Sequence, residues 1–357
     1  MPETDAQRVD RLRRAAQELE VGRPRGREVA EPKDRPAKQA EASSGADAAR
    51  GREAEHPQQI PLAGWKDVIV RAWRDTGEKQ LSLIAGGVTY YVLLALFPGL
   101  AALVSIYGLV ADPKEVERQI NSMSGLLPGD AKNLIGAELH QLVSASSGAL
   151  SFGVALGIVL ALWSASRGMS GMITALDIAY GQQEKRGFFK FNLIAILLTV
   201  GLLVVGIIAL ALVAVLPALV AGSNTGSVGK WVVLIVEWPI LIAVVMSVLA
   251  VLYRYAPDRD QPRWLWSSPG AIVATLLWII GSVAFTVYVA NFNSYNKTYG
   301  SLGALVILLT WLWLSSFVVL FGAEINAESE RQTRRDTTTG PPQEMGRRGA
   351  TAADTVG

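Results

Sequence analysis

The side chains of this sequence that could do chemistry are ionisable, phenolic and amide groups within or beside long apolar runs. A charge held near hydrocarbon is expensive unless it is paired, so such residues mark ion paths, proton relays or polar cavities. The candidate functional polar residues are Tyr90, Tyr91, Arg167, Asp177, Glu237, Arg254, Glu324 and Asn326.

Three of these candidates lie inside apolar runs, and each has two interpretations. Glu237 could relay a proton or cation within the membrane, or it could lie in the outer headgroup zone, bonded to water or a polar neighbour. Tyr90 and Tyr91 could line a polar cavity beside Pro98. Alternatively, they pack within the bundle, with their hydroxyls bonded to a neighbouring backbone.

The other candidates fall near the ends of apolar runs, on one side of the bundle. They are Arg167, Asp177, Arg254, Glu324 and Asn326. They could form a polar network that gates or closes a cavity, or they could be interfacial anchors and ordinary helix-end pairs. Glu324 has apolar residues on both sides and a short side chain, so we expect it to face the bundle interior, where an arginine such as Arg167 or Arg254 approaches it.

The composition excludes several kinds of site. The chain has no cysteine and only two histidines, His56 and His140, so disulfides, thiolate metal sites and histidine metal clusters are not available. Asp258 and Asp260 stand outside any metal-ligand string, and no phosphate-binding loop is present. We therefore predict no catalytic residue, no metal, no cofactor and no nucleic-acid partner, and we expect that the protein is not an enzyme.

Long apolar runs must position these side chains. A bilayer core about 30 Å thick needs a helix of roughly 20 apolar residues, because no water in lipid can satisfy the backbone. The sequence predicts six such spans, at residues 81–110, 150–166, 191–220, 231–253, 269–292 and 302–325. The predicted fold class is all-α, a polytopic membrane protein with a six-helix bundle, amphipathic interfacial helices and disordered tails.

The segments outside the spans complete the predicted domain organisation. Residues 1–60 carry 12 basic and 12 acidic residues with few large apolar ones, which predicts a disordered tail. The basic, aromatic pattern of residues 61–80 fits an interfacial amphipathic helix or an extension of the first span. Residues 112–148 are expected to form two amphipathic helices. The membrane domain would then cover 61–328, and 329–357 would be a second disordered tail.

The distribution of Lys and Arg predicts the orientation of the bundle. Basic residues are frequent before the first span, after the second and fourth spans, and after the last. The short loops on the other side have only Lys230 and Lys297. An even number of spans with this asymmetry places both termini in the cytoplasm.

Several strings resemble one family. "AGGVTYYVLLALFPGL" (85–100), "LWSASRGMSGMITALDIAYG" (162–181), "YRYAPDR" (253–259), "PGAIVATLLWIIGSVAFTVYVANF" (269–292) and "TYGSLGALVILLTWLWLSSFVVLFGAEINA" (298–327) resemble the YihY/virulence factor BrkB family. The resemblance implies a multi-pass protein of the bacterial plasma (inner) membrane with six spans. The family has also been labelled ribonuclease BN, and part of it is named for a virulence factor.

Three functions remain open at this stage. The first is transport of a lipid or small solute, or a part in envelope integrity, by a bundle that could be a homo-oligomer. The second is a non-transporting membrane scaffold or virulence factor acting through partners. The third, a ribonuclease, is disfavoured because RNA hydrolysis by metal ions needs clustered carboxylates or histidines. In each case the lipid bilayer is the first partner.

Overall fold

The computed structural model describes residues 47–110, 150–221, 226–291 and 301–357. These residues form a 3-10 turn (Pro57–Gln59) and helices α1 (Leu62–Glu78), α2 (Leu81–Val110), α3 (Leu150–Ala179), α4 (Phe188–Ala221), α5 (Gly226–Tyr255), α6 (Trp264–Asn291), α7 (Ser301–Arg331) and α8 (Thr351–Asp354). The predicted helices of 112–148 and residues 1–46 lie outside this description.

Long helices with an apolar outer surface confirm the predicted class, an all-α polytopic membrane protein. Within the described ranges, α2, α4, α5, α6 and α7 each contain a stretch long and apolar enough to cross a bilayer. Their outward side chains are large and hydrophobic, as Phe97, Leu197 and Ile280 are, which suits contact with lipid. Helix α3 has 30 residues, enough to span by length alone. The count of six spans stays a prediction.

Small residues allow the helices to approach closely. A Cβ atom added to Gly270 of α6 would lie 2.0 Å from the carbonyl oxygen of Gly322 in α7, and one added to Gly322 would lie 2.4 Å from the hydroxyl of Tyr253. Tyr253 donates a hydrogen bond of 2.8 Å to the carbonyl of Val319, which ties α5 to α7. Close backbone contact of this kind is typical of helix association in membranes, where dispersion replaces the hydrophobic effect.

Helix α1 is separate from the first span, so the structure decides between the two interpretations of residues 61–80. The chain breaks at Gln80, whose φ of 53° is incompatible with a continuous helix. The buried face of α1 repeats every four residues, and it consists of Gly64, Val68, Ala72 and Thr76. The opposite face exposes Val70 and Trp73. This agrees with the first of the two interpretations of residues 61–80, an amphipathic helix.

The C-terminal segment differs from the predicted disordered tail. Helix α7 continues to Arg331, and the chain beyond it folds back on the bundle. Arg348 is 5 % exposed and donates hydrogen bonds to the carbonyls of Gln343, Arg334, Arg335 and Ala353 at 2.7–3.1 Å. Composition reflects how much apolar surface a segment can bury, and this segment is ordered mainly by hydrogen bonds from the buried guanidinium of Arg348.

The N-terminal boundary also differs from the prediction. Residues 49–357 form one compact unit, so residues 49–60 belong with the membrane domain and not with a tail that ends at 60. Ala54 and Ile60 pack against the buried ring of Trp266 at the start of α6. Thr333 donates a 2.7 Å hydrogen bond to the carbonyl of Ala54. The segment before α1 and the segment after α7 thus satisfy each other's polar groups. The composition of neither segment predicts this pairing.

Candidate functional site: ion pairs at one end of the bundle

Four of the eight candidate residues, Asp177, Arg254, Glu324 and Asn326, lie at the end of the bundle where α2, α4 and α6 begin and α3, α5 and α7 end. We call this the polar end. Two short connections cross it, at residues 180–187 and 256–263, and α1 packs beside it against α7. Since consecutive membrane helices run in opposite directions, residues far apart in the sequence meet there.

A buried ion pair between Lys79 and Glu324 lies at the centre of the polar end. Lys79 follows the last residue of α1, and its Nζ donates to Oε1 of Glu324 at 2.6 Å and to the carbonyl oxygen of Ala179 at 2.7 Å. Glu324 is fully buried, and its Oε2 has no hydrogen-bond partner among the described residues. One ammonium group therefore fastens α1, α3 and α7 together, around a carboxylate that has spare acceptor capacity.

More charges adjoin this pair. Arg71 Nε donates to Glu328 Oε2 at 2.6 Å. Arg331 forms ion pairs with Glu328 and, at 3.3 Å, with Asp75. Together with the central pair these residues make a charge cluster, which consists of Arg71, Asp75, Lys79, Glu324, Glu328 and Arg331. Its three carboxylates face three basic side chains, so its net charge is zero and each buried charge has a counter-ion.

The three carboxylates of the cluster are close enough to share an ion. One oxygen each of Asp75, Glu324 and Glu328 lies within 4.8 Å of the others. Sequence reasoning missed this group, because Asp75 is separated from the other two by about 250 residues. A cation such as Ca²⁺ prefers oxygen ligands without competing bases. Here three basic side chains already neutralise the oxygens, so the arrangement fits an ion-pair network better than a metal site.

Asn326 connects α7 to two other elements of the polar end. Its Oδ1 accepts the backbone N–H of Gly270 at 2.7 Å, and its Nδ2 donates to the carbonyl of Ser267 at 3.2 Å and to the hydroxyl of Tyr180 at 3.3 Å. Asn326 and Ser267 are almost completely buried. The amide thereby binds backbone groups of α6 on both sides of Pro269, near the start of that helix.

Asp177 belongs to a second group, which joins the two connections. Its Oδ1 accepts the backbone N–H of Asp258 at 2.7 Å, and Arg186 Nη2 lies 3.9 Å from its other oxygen. Arg186 also pairs with Glu184 at 2.5 Å. Asp177 lies well beyond residue 166, where the predicted second span ends. Burial raises the pKa of its carboxyl from 3.8 to about 6, although the hydrogen bond from Asp258 opposes the shift.

The two arginines expected beside Glu324 lie elsewhere. Arg254 is buried, as predicted, but it donates to the carbonyl of Pro262 and stacks 4.5 Å from the ring centroid of Trp264. Arg167 lies 4.5 Å from the ring centroid of Trp163. The prediction of a basic partner for Glu324 is confirmed, but the predicted identity of that partner is wrong. The residue that follows α1 is the basic partner, because the four-carbon side chain of Lys79 is long enough to contact Glu324.

The remaining candidates do not join the polar end. Tyr90 and Tyr91 are 58 % and 48 % exposed, with their rings in edge-to-face contact at 5.6 Å. Tyr91 packs beside Gly171 of α3, and neither tyrosine is among the described residues that line the apolar cavity between the helices. Glu237 is buried in α5, 9 % exposed, far along the helix from Arg254.

A large apolar cavity lies between the helices. Its volume is about 970 Å³, and α2, α3, α4, α5 and α7 line it. Its polar side chains are few and include Thr199 and Ser247. Several lining residues, such as Leu197, Ile208 and Ile240, are also exposed on the outer surface of the bundle. The cavity is therefore open sideways, toward the surface that faces lipid.

Comparison with known proteins places the chain among bacterial membrane proteins. The profile of a family described as Virulence factor BrkB matches residues 72–346. A ribonuclease-like protein, YfkH of Bacillus subtilis (strain 168), is 31% identical over 268 residues, which is 73% of this chain and 93% of that protein. The UPF0761 membrane protein NTHI0384 of Haemophilus influenzae is 26% identical over 260 residues, 71% of this chain and 91% of its own. No solved structure matches significantly.

Proposed function

The chain belongs to the virulence factor BrkB family of membrane proteins, and from that premise we propose that it moves a lipid or a lipid-like solute between bilayer leaflets. The observation that carries this proposal is the sideways-open apolar cavity of about 970 Å³. That volume is at the upper end of the roughly 300–1,000 Å³ usual for sites that enclose a ligand.

The lining of the cavity indicates which part of the substrate it takes. Leu, Val, Ile and Met side chains dominate it, and the described lining contains no charged residue. Such a surface suits an acyl or isoprenoid chain and offers nothing for a free ion or a sugar. The lateral opening would admit a chain directly from the bilayer.

The charge cluster supplies the closed end that a transport cycle requires. Lys79 pins α3 and α7 together through two contacts. Helix α7 lines the cavity at Val319, about one turn from Glu324. Alternating access needs a boundary that opens and closes around a fixed site. Separation of α1 from α7 would expose the cluster to water, where its ion pairs are weak, and would loosen this boundary.

Two glycines of α4 give a matched test. In the part of the chain that the structure describes, a Cβ at Gly201 or Gly206 meets no atom within 4 Å, and of these two glycines only Gly201 lines the cavity. Gly201→Phe should fill the cavity and reduce the rate of fluorescent-lipid flipping in reconstituted vesicles at least tenfold. Gly206→Phe should leave that rate near wild type. Equal rates in all three proteins, or no flipping by folded wild-type protein, would contradict the proposal.

An enzymatic function has less support. The name of YfkH suggests a ribonuclease for that protein. Among the described residues, such chemistry would use the three neighbouring carboxylates of Asp75, Glu324 and Glu328. Two of the three are at most 1 % exposed, and all three are paired with bases. RNA could not reach them without opening the bundle. If folded wild-type protein does not flip lipid, a non-transporting scaffold becomes the favoured function.

A further inference from the structure

A second recess lies on the outside of the bundle, at the corner between α1, α2 and α7. Its volume is about 710 Å³. We call it the interfacial slot, and its lining residues are Trp73, Thr76, Gly77, Gln80, Ser82, Leu83, Gly86, Trp313 and Phe317. It shares no residue with the apolar cavity. Phe317 and Val319 face the two recesses from α7, roughly 200° apart around that helix.

Aromatic rings form one wall of the slot. Trp313 stacks on Phe317 with centroids 5.7 Å apart, and Phe317 stacks on Phe321 at 6.4 Å. Trp73 of α1 contacts Phe321 edge-on at 6.3 Å. The indole N–H of Trp313 donates to the carbonyl of Ser82 at 3.0 Å, which fixes that ring in place. The wall is therefore preformed, so little side-chain entropy is lost when a ligand binds.

Glycines keep the rest of the slot open. A Cβ at Gly77 or at Gly86 would meet no atom of the described residues within 4 Å. Leu83, which lies between them, is 72 % exposed. A straight apolar chain could therefore lie along the first turns of α2 against the aromatic wall. From Ser82 to Gly86 the slot extends about 6 Å along the axis of α2, within the first apolar span.

The end of the slot near Gln80 is polar but uncharged. Gln80, Ser82 and Thr76 provide its hydrogen-bonding groups, and none of the nine lining side chains is ionisable. Lys79 is next to Gln80 in sequence, but its ammonium group points to Glu324 instead. A neutral polar rim above an apolar trough matches the ester region of a lipid and the first part of its acyl chain. It offers no charged group to a phosphate.

We propose that the interfacial slot is a binding site for one bilayer glycerophospholipid, with its ester groups at Gln80 and one acyl chain along Trp313. The position argues for lipid over a protein partner, because the slot begins where α1 meets the first span and opens on the hydrocarbon-facing side. Trp side chains at such a level favour the membrane interface. The proposal is independent of the flipping activity.

Adjacent glycines of α2 provide the test. Gly86 and Gly87 both have open space at Cβ, but only Gly86 lines the slot. Delipidated full-length protein would be titrated with phosphatidylglycerol and examined by native mass spectrometry. Gly86→Leu should weaken binding of the first lipid at least tenfold, and Gly87→Leu should match wild type. Wild-type affinity in Gly86→Leu would overturn the proposal.

Three further arms make the result specific. Gly77→Leu fills the slot from α1 and should repeat the loss, so that a folding defect in one variant does not decide the outcome. Diacylglycerol should compete with phosphatidylglycerol, because the ester region is what the slot recognises. Binding that requires the anionic headgroup and disappears in salt would refute that assignment. Gly201→Phe, which fills the other cavity, should retain the slot lipid even though its flipping fails.

Discussion

At the scale of residues, the Lys79–Glu324 pair is the contact that most distinguishes the polar end. Glu324 is fully buried and Lys79 is about one-fifth exposed, so the pair is neither a surface salt bridge nor a completely dry one. Removal of one partner of a buried pair is more damaging than removal of both, since the remaining charge is left without compensation. This asymmetry can be measured.

We expect Glu324→Leu to lower the free energy of unfolding by about 2–4 kcal/mol, somewhat less than a fully dry pair because water reaches Lys79. The double variant with Lys79→Met should recover part of that loss, and Glu324→Gln should lose less than Glu324→Leu. Thermal unfolding of detergent-purified proteins in a double-mutant cycle measures the coupling. Simple additivity of the two single changes would show that the pair does not interact.

The second residue-scale prediction concerns Asp177, whose pKa burial raises from 3.8 to about 6. Between about pH 4 and 6 the folded state therefore binds more protons than the unfolded state. The stability that this group contributes is present below pH 4 and is lost as the pH rises through 6. Asp177→Asn, which keeps the acceptor for Asp258, should remove that loss.

The measurement is the midpoint of thermal unfolding at pH 4, 5, 6 and 7 for wild type and variant. The difference between the two proteins should change in favour of Asp177→Asn as the pH rises. A matched change at the exposed Glu55, as Glu55→Gln, should give no such trend. A constant difference across this range would mean that Asp177 titrates no differently after folding.

At the scale of elements, the contact between α6 and α7 is tightest where two glycines meet. Gly270 and Gly322 leave no room for a methyl group, and Asn326 bonds to the N–H of Gly270 at the same place. The N-terminal part of α6 is therefore fixed to α7 at Gly270 by both packing and hydrogen bonding. Any motion that opens the polar end should move these two helices as one body.

Gly270→Ala should destabilise the protein by about 1–3 kcal/mol, because the new methyl group overlaps the carbonyl of Gly322. Gly281→Ala is the control on the same helix, since its Cβ lies 3.2 Å from the flexible end of Leu314. Thermal unfolding in detergent compares the two. Similar midpoints for both variants would contradict the close contact between α6 and α7.

At the scale of the whole molecule, the terminal segments of the compact unit pack against the polar end of the bundle. Arg348 orders the C-terminal segment, and residues 49–60 pack beside it against α6 and α7. Gly357 donates its N–H to the carbonyl of Arg331 at 3.0 Å, beside the charge cluster. These two segments therefore form a small polar cap at the polar end of the bundle.

Deletion of residues 1–46 should leave the unfolding midpoint unchanged, as the composition of that segment predicts. Deletion of residues 1–60 should lower the midpoint by several degrees, because Ile60 and Ala54 no longer cover Trp266 and because Thr333 loses its acceptor. Differential scanning fluorimetry of the purified proteins gives both numbers. Equal midpoints for the two deletions would show that residues 47–60 add nothing to stability.

The proposed orientation, with both termini in the cytoplasm, rests on the loop charges. Because the chain has no cysteine, single cysteines can be introduced without background. Cysteines replacing Asn224 and Lys297 should react with an impermeant maleimide in intact cells. One replacing the exposed Glu184 at the polar end should react only after permeabilisation. The reverse labelling pattern would mean that both termini lie on the side opposite to the cytoplasm.

The sequence by itself determined the class of this protein, because long apolar runs permit only helices in lipid. It also determined the family, the amphipathic character of α1 and the burial of Glu324. Each of these follows from local composition or from the cost of an unpaired charge. The sequence pattern could not show that Lys79, at the end of α1, is the partner of Glu324, since 245 residues separate the two.

Only the tertiary structure decided which polar groups meet. It brought Asp75 to Glu324 and Glu328, sent Arg254 to Trp264 instead of Glu324, and ordered the C-terminal segment through Arg348. It also left the apolar cavity and the interfacial slot open. The physical reason is that cavities and ion pairs depend on rotation and contact of whole helices, for which the periodicity of one chain segment carries no information.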